Sequence, residues 1–369
     1  MARTRTAPRL DPRKTWSLLV GVLDYLELGK SFDKEQRQDQ ELDATLARWG
    51  IPERQRRTLL DQDATTDSVR ASLREIVGKV RKGDTLLFYF AGHGSFGSEG
   101  PGLDTHDGSL RFAELATLLE ECKGSVLLTA DCCFSGLLSE VGESLHARGT
   151  PSAVLASIDG SGSTGQWTFT RTLVDAFAGR GFVDHDGDGK VSLADLAREQ
   201  RLALHARDDQ RSHASWHGIA PSLVLREVDD ARTSDLAWCS VDGAPGRVIG
   251  NSGSSYRVRL CDVTTTTYRD VPKGCLRSIP PAPELEVGTK VWATPLGGVR
   301  SRGVVVAVED GFHRVEYDRA EPLAHEWLPK MRLSSRDEKA RPARASSDRV
   351  DPSRVETARL KRTAARRER

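Results

Sequence analysis

The sequence predicts an α/β protein, a mostly parallel sheet sandwiched by helices, followed by two small all-β barrels. Three observations carry this reading. Between about residues 15 and 225, short continuous apolar runs alternate with segments of helical period, the pattern of parallel strands buried on both faces. Past residue 230 the texture changes to short β-type runs, turns and tryptophans. That second half also repeats itself: "PGRVIGNSGSSYRVRLCDVTTTTYRDVPKGCLRS" and "SRGVVVAVEDGFHRVEYDRAEPLAHEWLPKMRLS" share one order of Gly-Val-Val-like run, turn, aromatic-x-Val and Val/Leu-Pro step. Each repeat has the length of a small five-stranded barrel. The expected boundaries are a basic N-terminal extension at 1–14, the α/β domain at 15–226, barrels at 232–280 and 285–334, and a tail at 335–369.

The elements follow in order. "WSLLVGV" (16–22) reads as a buried strand. Leu42, Leu46 and Trp49 fall at i, i+4, i+7, giving a helix that stops at Gly50. Val69, Leu73, Ile76, Val77 and Val80 make one helical stripe, with Thr65 or Thr66 to cap it and Gly83 to end it. "TLLFYFA" (85–91) is a strand, "FAELATLLEEC" (112–122) a helix, and "SVLLTA" and "AVLASI" (153–158) two more strands. Helices are expected at about 168–179 and 193–206, then a strand "SLVL" (222–225), and "PPAPELEVG" reads as the linker between the barrels.

Composition narrows the function. Charged residues make up 29% of the chain and the formal net charge is +1, which excludes a general polyanion binder. The start is basic with no apolar stretch behind it, unlike a secretory signal. No run reaches the roughly 18 apolar residues of a membrane span. Six cysteines, three of them scattered singly at Cys239, Cys261 and Cys275, do not make a disulfide framework. A cytoplasmic, reduced protein with no membrane partner is expected.

The chemistry gathers at two strand ends. "LLFYFAGHG" delivers His93 between glycines, and "SVLLTADCCFSGLL" delivers Asp131 and Cys133. In open parallel sheets, sites form beyond the carboxyl ends of strands. A thiol needs a base or a lowered pKa to act as a nucleophile, and imidazole supplies that help. Taken singly, His93 reads as a core histidine and Cys133 as a small buried hydrophobe. Together at two strand ends beside glycine they read as a catalytic pair. Gly94 adds close backbone approach and N–H groups for an oxyanion.

"YFAGHG" followed by "DCCFSG" resembles the caspase-like cysteine peptidases, in the metacaspase and bacterial orthocaspase branch. The resemblance covers roughly residues 15–226, from "LLVGVLDY" and "DQELDATLARWG" through "FTRTLVDAF" to "SWHGIAPSLVL". It implies His93 as catalytic imidazole, Cys133 as nucleophile, and the N–H groups of Gly94 and Cys133 as oxyanion hole, with Cys132 a buried bystander. It also implies that Asp131 helps line a pocket for Arg or Lys before the scissile bond, which suits a carboxylate facing a guanidinium. Asp39 matches a second pocket acid; the alternative is an exposed helix acid. Phe134 stands where metacaspases usually have histidine, and Ala91 where many have serine. Arg148, in a loop read over 139–152, is the expected site of self-cleavage. The implied activity is cleavage of a partner protein in regulated proteolysis, such as bacterial defence or cell death. A catalytically silent scaffold whose barrels bind a protein partner is the alternative.

"DHDGDGKVSLAD" (184–195) places Asp184, Asp186 and Asp188 at positions 1, 3 and 5 of an EF-hand-like loop, Gly189 at 6, the Lys190 carbonyl at 7, Ser192 at 9 and Asp195 at 12. Asp at 12 is shorter than the usual bidentate Glu. Calcium and a purely structural acidic turn both stay open, and no cofactor is required for the chemistry. The barrels resemble Tudor or Agenet-like modules. Trp292, Phe312, Tyr317 and Trp327 either line a recognition pocket or fill a small core, the latter being favoured for most of them. The tail holds twelve Lys/Arg against six Asp/Glu and no aromatic residue, so it reads as solvated, and nucleic acid is not an expected partner.

Overall fold

The structure is a computed structural model and describes residues 8–27, 29–30, 37–159, 167–208, 210–229, 238–241, 244–261, 266–272, 277–278, 285–294, 300–309, 312–318, 325–329 and 332–336. Half of the predicted basic extension, the first part of the linker and nearly all of the basic tail lie outside the described residues. The described residues up to Ser334 form one compact unit.

Its centre is a six-stranded sheet. The principal elements are β1 (Thr15–Gly21), α1 (Gln38–Trp49), β2 (Arg56–Leu60), α2 (Thr66–Lys79), β3 (Thr85–Ala91), α3 (Phe112–Leu119), β4 (Ser125–Asp131), α4 (Leu138–Ala147), β5 (Ser152–Ala156), α5 (Thr168–Phe177), α6 (Leu193–Asp208) and β6 (His213–His217). The strand order is β6-β5-β4-β3-β1-β2, with every pairing parallel except β5–β6. Helices cover both faces, as the unbroken apolar runs require. Leu18, Val20, Phe88, Phe90, Leu128 and Ala130 point into one core with residues of α2, α3 and α4. Leu19, Leu87, Tyr89 and Leu127 point into the other with residues of α1, α5 and α6.

Local signals explain the ends. Thr65 caps α2 through its hydroxyl, which accepts from the Ser68 N–H at 3.1 Å. Helix α2 stops at Lys79, before Gly83; Gly83, at φ +89°, instead makes the turn into β3. Two strands of the central sheet escaped the sequence reading. Only Leu59 of β2 is buried, and β6 ("HASWH") has no apolar run, since both lie at the sheet's edges. "SLVL" is a correction as well: the strand is Val224–Glu227, and it pairs with Lys190–Ser192 outside the central sheet. After β3 the chain makes a small antiparallel sheet of Gly94–Gly97, Gly100–Asp104 and Ser109–Arg111.

The repeated second half forms two five-stranded antiparallel sheets. The first contains Trp238–Val241, Ala244–Ser252, Ser255–Cys261, Thr266–Pro272 and Arg277–Ser278. The second contains Lys290–Ala293, Ser301–Glu309, Phe312–Tyr317, His325–Pro329 and Leu333–Ser335. In each, four strands meander and the fifth returns beside the first. Each also has an irregularity in its second strand, at Val248/Gly250 and at Val305/Ala307. Two buried arginines fix the first sheet to the helices. Arg259 forks onto Asp175 of α5 at 3.1 and 2.8 Å, and Arg247 onto Glu199 of α6 at 2.9 and 3.1 Å. Burial pushes the Glu199 carboxyl up, but Arg247 and a hydrogen bond from His185 overcome it and bring it to about 2. On the second sheet, Arg211 pairs with Glu309 at 2.5 Å and lies 3.8 Å over the Trp327 ring.

Candidate active site

Strand pairing brings the predicted pair together. Adjacent parallel strands β3 and β4 run in register from Thr85↔Ser125 to Ala91↔Asp131. His93 and Cys133 each lie two residues past their strand ends, so they keep the offset of that register. Burial then separates the two cysteines. Cys132 follows Leu128 and Ala130 into the core under α2–α4; it is 0% exposed, and burial holds its thiol well above the ordinary value. Cys133 lies in the turn that follows the strand and is half-buried.

The glycines around His93 have a steric cause. A Cβ on Gly94 would lie 2.1 Å from the Cys133 carbonyl oxygen. No other residue lets the two strand ends approach so closely. Gly92 has φ +153°, and a Cβ there would lie 2.6 Å from the Tyr25 hydroxyl. That hydroxyl donates to the Val22 carbonyl at 2.9 Å and accepts the His93 N–H at 2.6 Å. The Tyr25 ring also lies 5.0 Å from the imidazole. Tyr25 thus positions His93, a role its place in "LLVGVLDY" did not signal. Burial pushes the His93 imidazole below its ordinary 6.5, with Asp104 acting in the opposite sense. That shift favours the neutral imidazole, the form able to accept a thiol proton.

Asp131 sits on the face of α1 and α5 and is 6% exposed. Its Oδ2 accepts from the Thr170 N–H at 3.2 Å and the Thr170 hydroxyl at 2.7 Å, in the first turn of α5, where the helix dipole favours a carboxylate. The Thr170 hydroxyl gives its one proton to Asp131, so the Tyr89 hydroxyl, 2.7 Å away, donates to Thr170.

Asp39 requires a correction on one alternative: it is not an exposed helix acid. It is 0% exposed and lies over Gly21, where an added Cβ would fall 1.9 Å from its Oδ2. Arg37 grips it with Nε at 3.0 Å and Nη2 at 2.6 Å. The same guanidinium donates to Asp61 at 2.7 Å and to the Gly21 carbonyl at 3.0 Å. The pairing is local: a side chain two residues away reaches back over the helix start. Nothing in "RQDQ" distinguished it from surface charge.

Arg148 also changes its setting. Most of the predicted loop 139–152 is helix α4, and Arg148 is its C-cap, with its N–H on the Leu145 carbonyl at 3.1 Å and its side chain paired to Glu120. In the acidic loop, Asp184, Asp186 and Asp188 bring carboxylate oxygens within 4.8 Å of one another, a hard-oxygen set suited to calcium. Asp195 does not join that group. Its Oδ2 accepts from Ser192 N–H and hydroxyl at 2.9 and 2.5 Å, and its Oδ1 from the His185 N–H at 3.0 Å. Asp184 accepts the Gly187 and Gly189 N–H groups at 2.6 and 3.0 Å, and the N–H of Lys190 donates to Asp188 at 2.9 Å. Of the four aromatics of the second sheet, Phe312 and Tyr317 are core. Trp292 and Trp327 are half-buried under Arg300, Arg302 and Arg211.

No family model matches the chain, and no curated protein matches it in sequence. Solved structures similar to it include a Geobacter sulfurreducens protein determined by structural genomics, 16% identical, covering 57% of this chain and 99% of that one at TM-score 0.41. The Drosophila initiator caspase Dronc is 10% identical, with 60% and 88% of the two chains covered and TM-score 0.44. Caspase-1 from Spodoptera frugiperda is 14% identical, with 64% and 98% covered and TM-score 0.43.

Proposed function

We propose that the chain is a caspase-like cysteine endopeptidase that cuts a partner protein after Arg or Lys. The observation that supports this reading is the common register of β3 and β4 up to Ala91↔Asp131, which ends two residues before both His93 and Cys133, with the Cys133 carbonyl against Gly94. The Cys133 Sγ attacks the scissile carbonyl as His93 takes the thiol proton. The backbone N–H groups of Gly94 and Cys133 receive the oxyanion. His93 then protonates the leaving amine, and water, deprotonated by the same imidazole, cleaves the thioester and restores the thiol. Asp131 supplies the negative charge that favours a guanidinium or ammonium before the scissile bond; Asp39, held by Arg37, does not.

The two C-terminal sheets support a locating or regulatory role toward a protein partner, and the scaffold alternative assigns them the whole function. Calcium held by Asp184, Asp186 and Asp188 would brace the entry to α6 and take no part in the chemistry. Cleavage of fluorogenic peptides ending in Arg, Lys, Asp or Leu, with and without calcium, tests the proposal. Release after Arg and Lys supports it. Release after Asp or Leu contradicts the role of Asp131, and silence throughout favours the scaffold.

A further inference from the structure

Two aromatic side chains stand beside the catalytic pair with no part in the chemistry above. Phe134 follows Cys133 directly and holds φ +58°, a left-handed conformation that costs a bulky residue strain. Phe96 lies two residues past Gly94 in the small antiparallel sheet. Their rings meet at 5.8 Å with an interplanar angle of 52°, and Phe96 remains 43% exposed. Phe134 is half-buried beside it, so the pair presents apolar surface next to the nucleophile that folding leaves partly available.

The side of the sheet on which this pair stands is what gives it meaning. Leu103 and Leu110, from the same small sheet as Phe96, and Leu138, which opens α4 soon after Phe134, all pack into the core of α2–α4. Tyr89, Ala91 and Phe169, which surround Asp131 and Thr170, belong to the opposite core. The carboxylate is therefore above one face, while the aromatic pair stands beside segments anchored in the other core, and Cys133 separates Asp131 from Phe134 along the chain. In an extended peptide, successive side chains point to opposite sides.

We propose that Phe96 and Phe134 form the subsite for the residue that follows the scissile bond, and that it takes a large apolar side chain. This rests on the endopeptidase reading. A peptide that places a basic side chain at Asp131 and its carbonyl at Cys133 directs the next side chain over the other face, onto the two rings. Phe96 provides the solvent-facing wall and Phe134 the floor. The strained backbone of Phe134 holds that ring in place where glycine or asparagine would sit without cost.

The test is a series of internally quenched peptides that share Arg before the bond and carry Phe, Leu, Ala, Asp or Lys after it. The wild type is expected to favour Phe and Leu over Asp by about tenfold in kcat/KM, the size of effect that a shallow apolar contact supplies. Phe96→Ala is expected to bring that ratio within about twofold while the preference for Arg over Leu before the bond persists. Phe134→Asn, which suits the left-handed backbone, is expected to do the same in a protein that melts as the wild type does. A flat wild-type profile overturns the subsite, as does a profile unchanged in Phe96→Ala or a loss uniform across the series. Cleavage of no peptide by the wild type contradicts the endopeptidase reading, and the subsite falls with it.

Discussion

Thr170 gives both its backbone N–H and its hydroxyl proton to one oxygen of Asp131. Helix α5 thereby holds the residue two positions before Cys133, and five residues further on the same helix offers Asp175 to Arg259 of the first C-terminal sheet. One helix spans the crevice and the appended module. Thr170→Val keeps the shape but leaves Asp131 and Tyr89 each short of a partner, and should lower stability by about 1–3 kcal/mol in denaturant titration. Thr170→Ser should restore it. A Val variant as stable as wild type would mean that the hydroxyl does not hold Asp131.

Asp39 separates a structural acid from a pocket acid. Replacing it with Asn removes one of the two carboxylates that hold the Arg37 guanidinium, whose side chain is only 6% exposed, and losing a charged hydrogen-bond partner there costs about 1–3 kcal/mol. Asp39→Asn should therefore melt earlier yet keep its preference for Arg before the bond. Selectivity lost at unchanged stability would return Asp39 to the pocket.

His93 sets the pH dependence. Burial lowers its folded pKa below 6.5, so the acid limb of kcat/KM should lie below pH 6.5, and Phe replacements of Tyr25, which lose the hydroxyl under the His93 N–H, should move it. For stability the sign follows from proton binding. Between the folded and unfolded values the unfolded chain binds more protons, so this contribution is present above pH 6.5 and lost as pH falls through that window. An acid limb above pH 6.5 would show an imidazolium stabilised in the site.

The acidic loop makes a separable prediction. If Asp184, Asp186 and Asp188 take calcium, millimolar calcium should raise the melting temperature, since an ion at a hundred times its Kd adds about 2.7 kcal/mol. Asp186→Asn should abolish the shift while peptide cleavage survives. An unchanged melting temperature would leave the loop as the hydrogen-bonded turn that its backbone contacts already make.

Period and punctuation made most of the α/β fold legible. The continuous runs in β1, β3, β4 and β5 are buried on both faces, and no solvent-facing position interrupts them. The edge strands β2 and β6 were missed because half-exposed edges carry mixed residues. That His93 and Cys133 follow neighbouring strands was legible from glycine and strand-end signals, and the duplicated sheets from their spacing. What the sequence hid was pairing between side chains. Arg37 on Asp39, Tyr25 under His93 and Arg247 on Glu199 join residues whose partners only folding selects. Helix α4 was hidden by the same limit, because "SEVGESLHARG" has weak apolar content and ends in turn-like residues.

The central claim is that Cys133, not Cys132, is the nucleophile, and the most direct measurement locates a covalent adduct. A peptidyl chloromethyl ketone ending in Arg, incubated with the full-length protein and mapped by mass spectrometry, should label Cys133 alone, and His93→Ala should slow that labelling severely. Cys132 faces the opposite core, out of reach of a peptide. An adduct on Cys132, or peptide cleavage that persists in Cys133→Ala, would contradict the account.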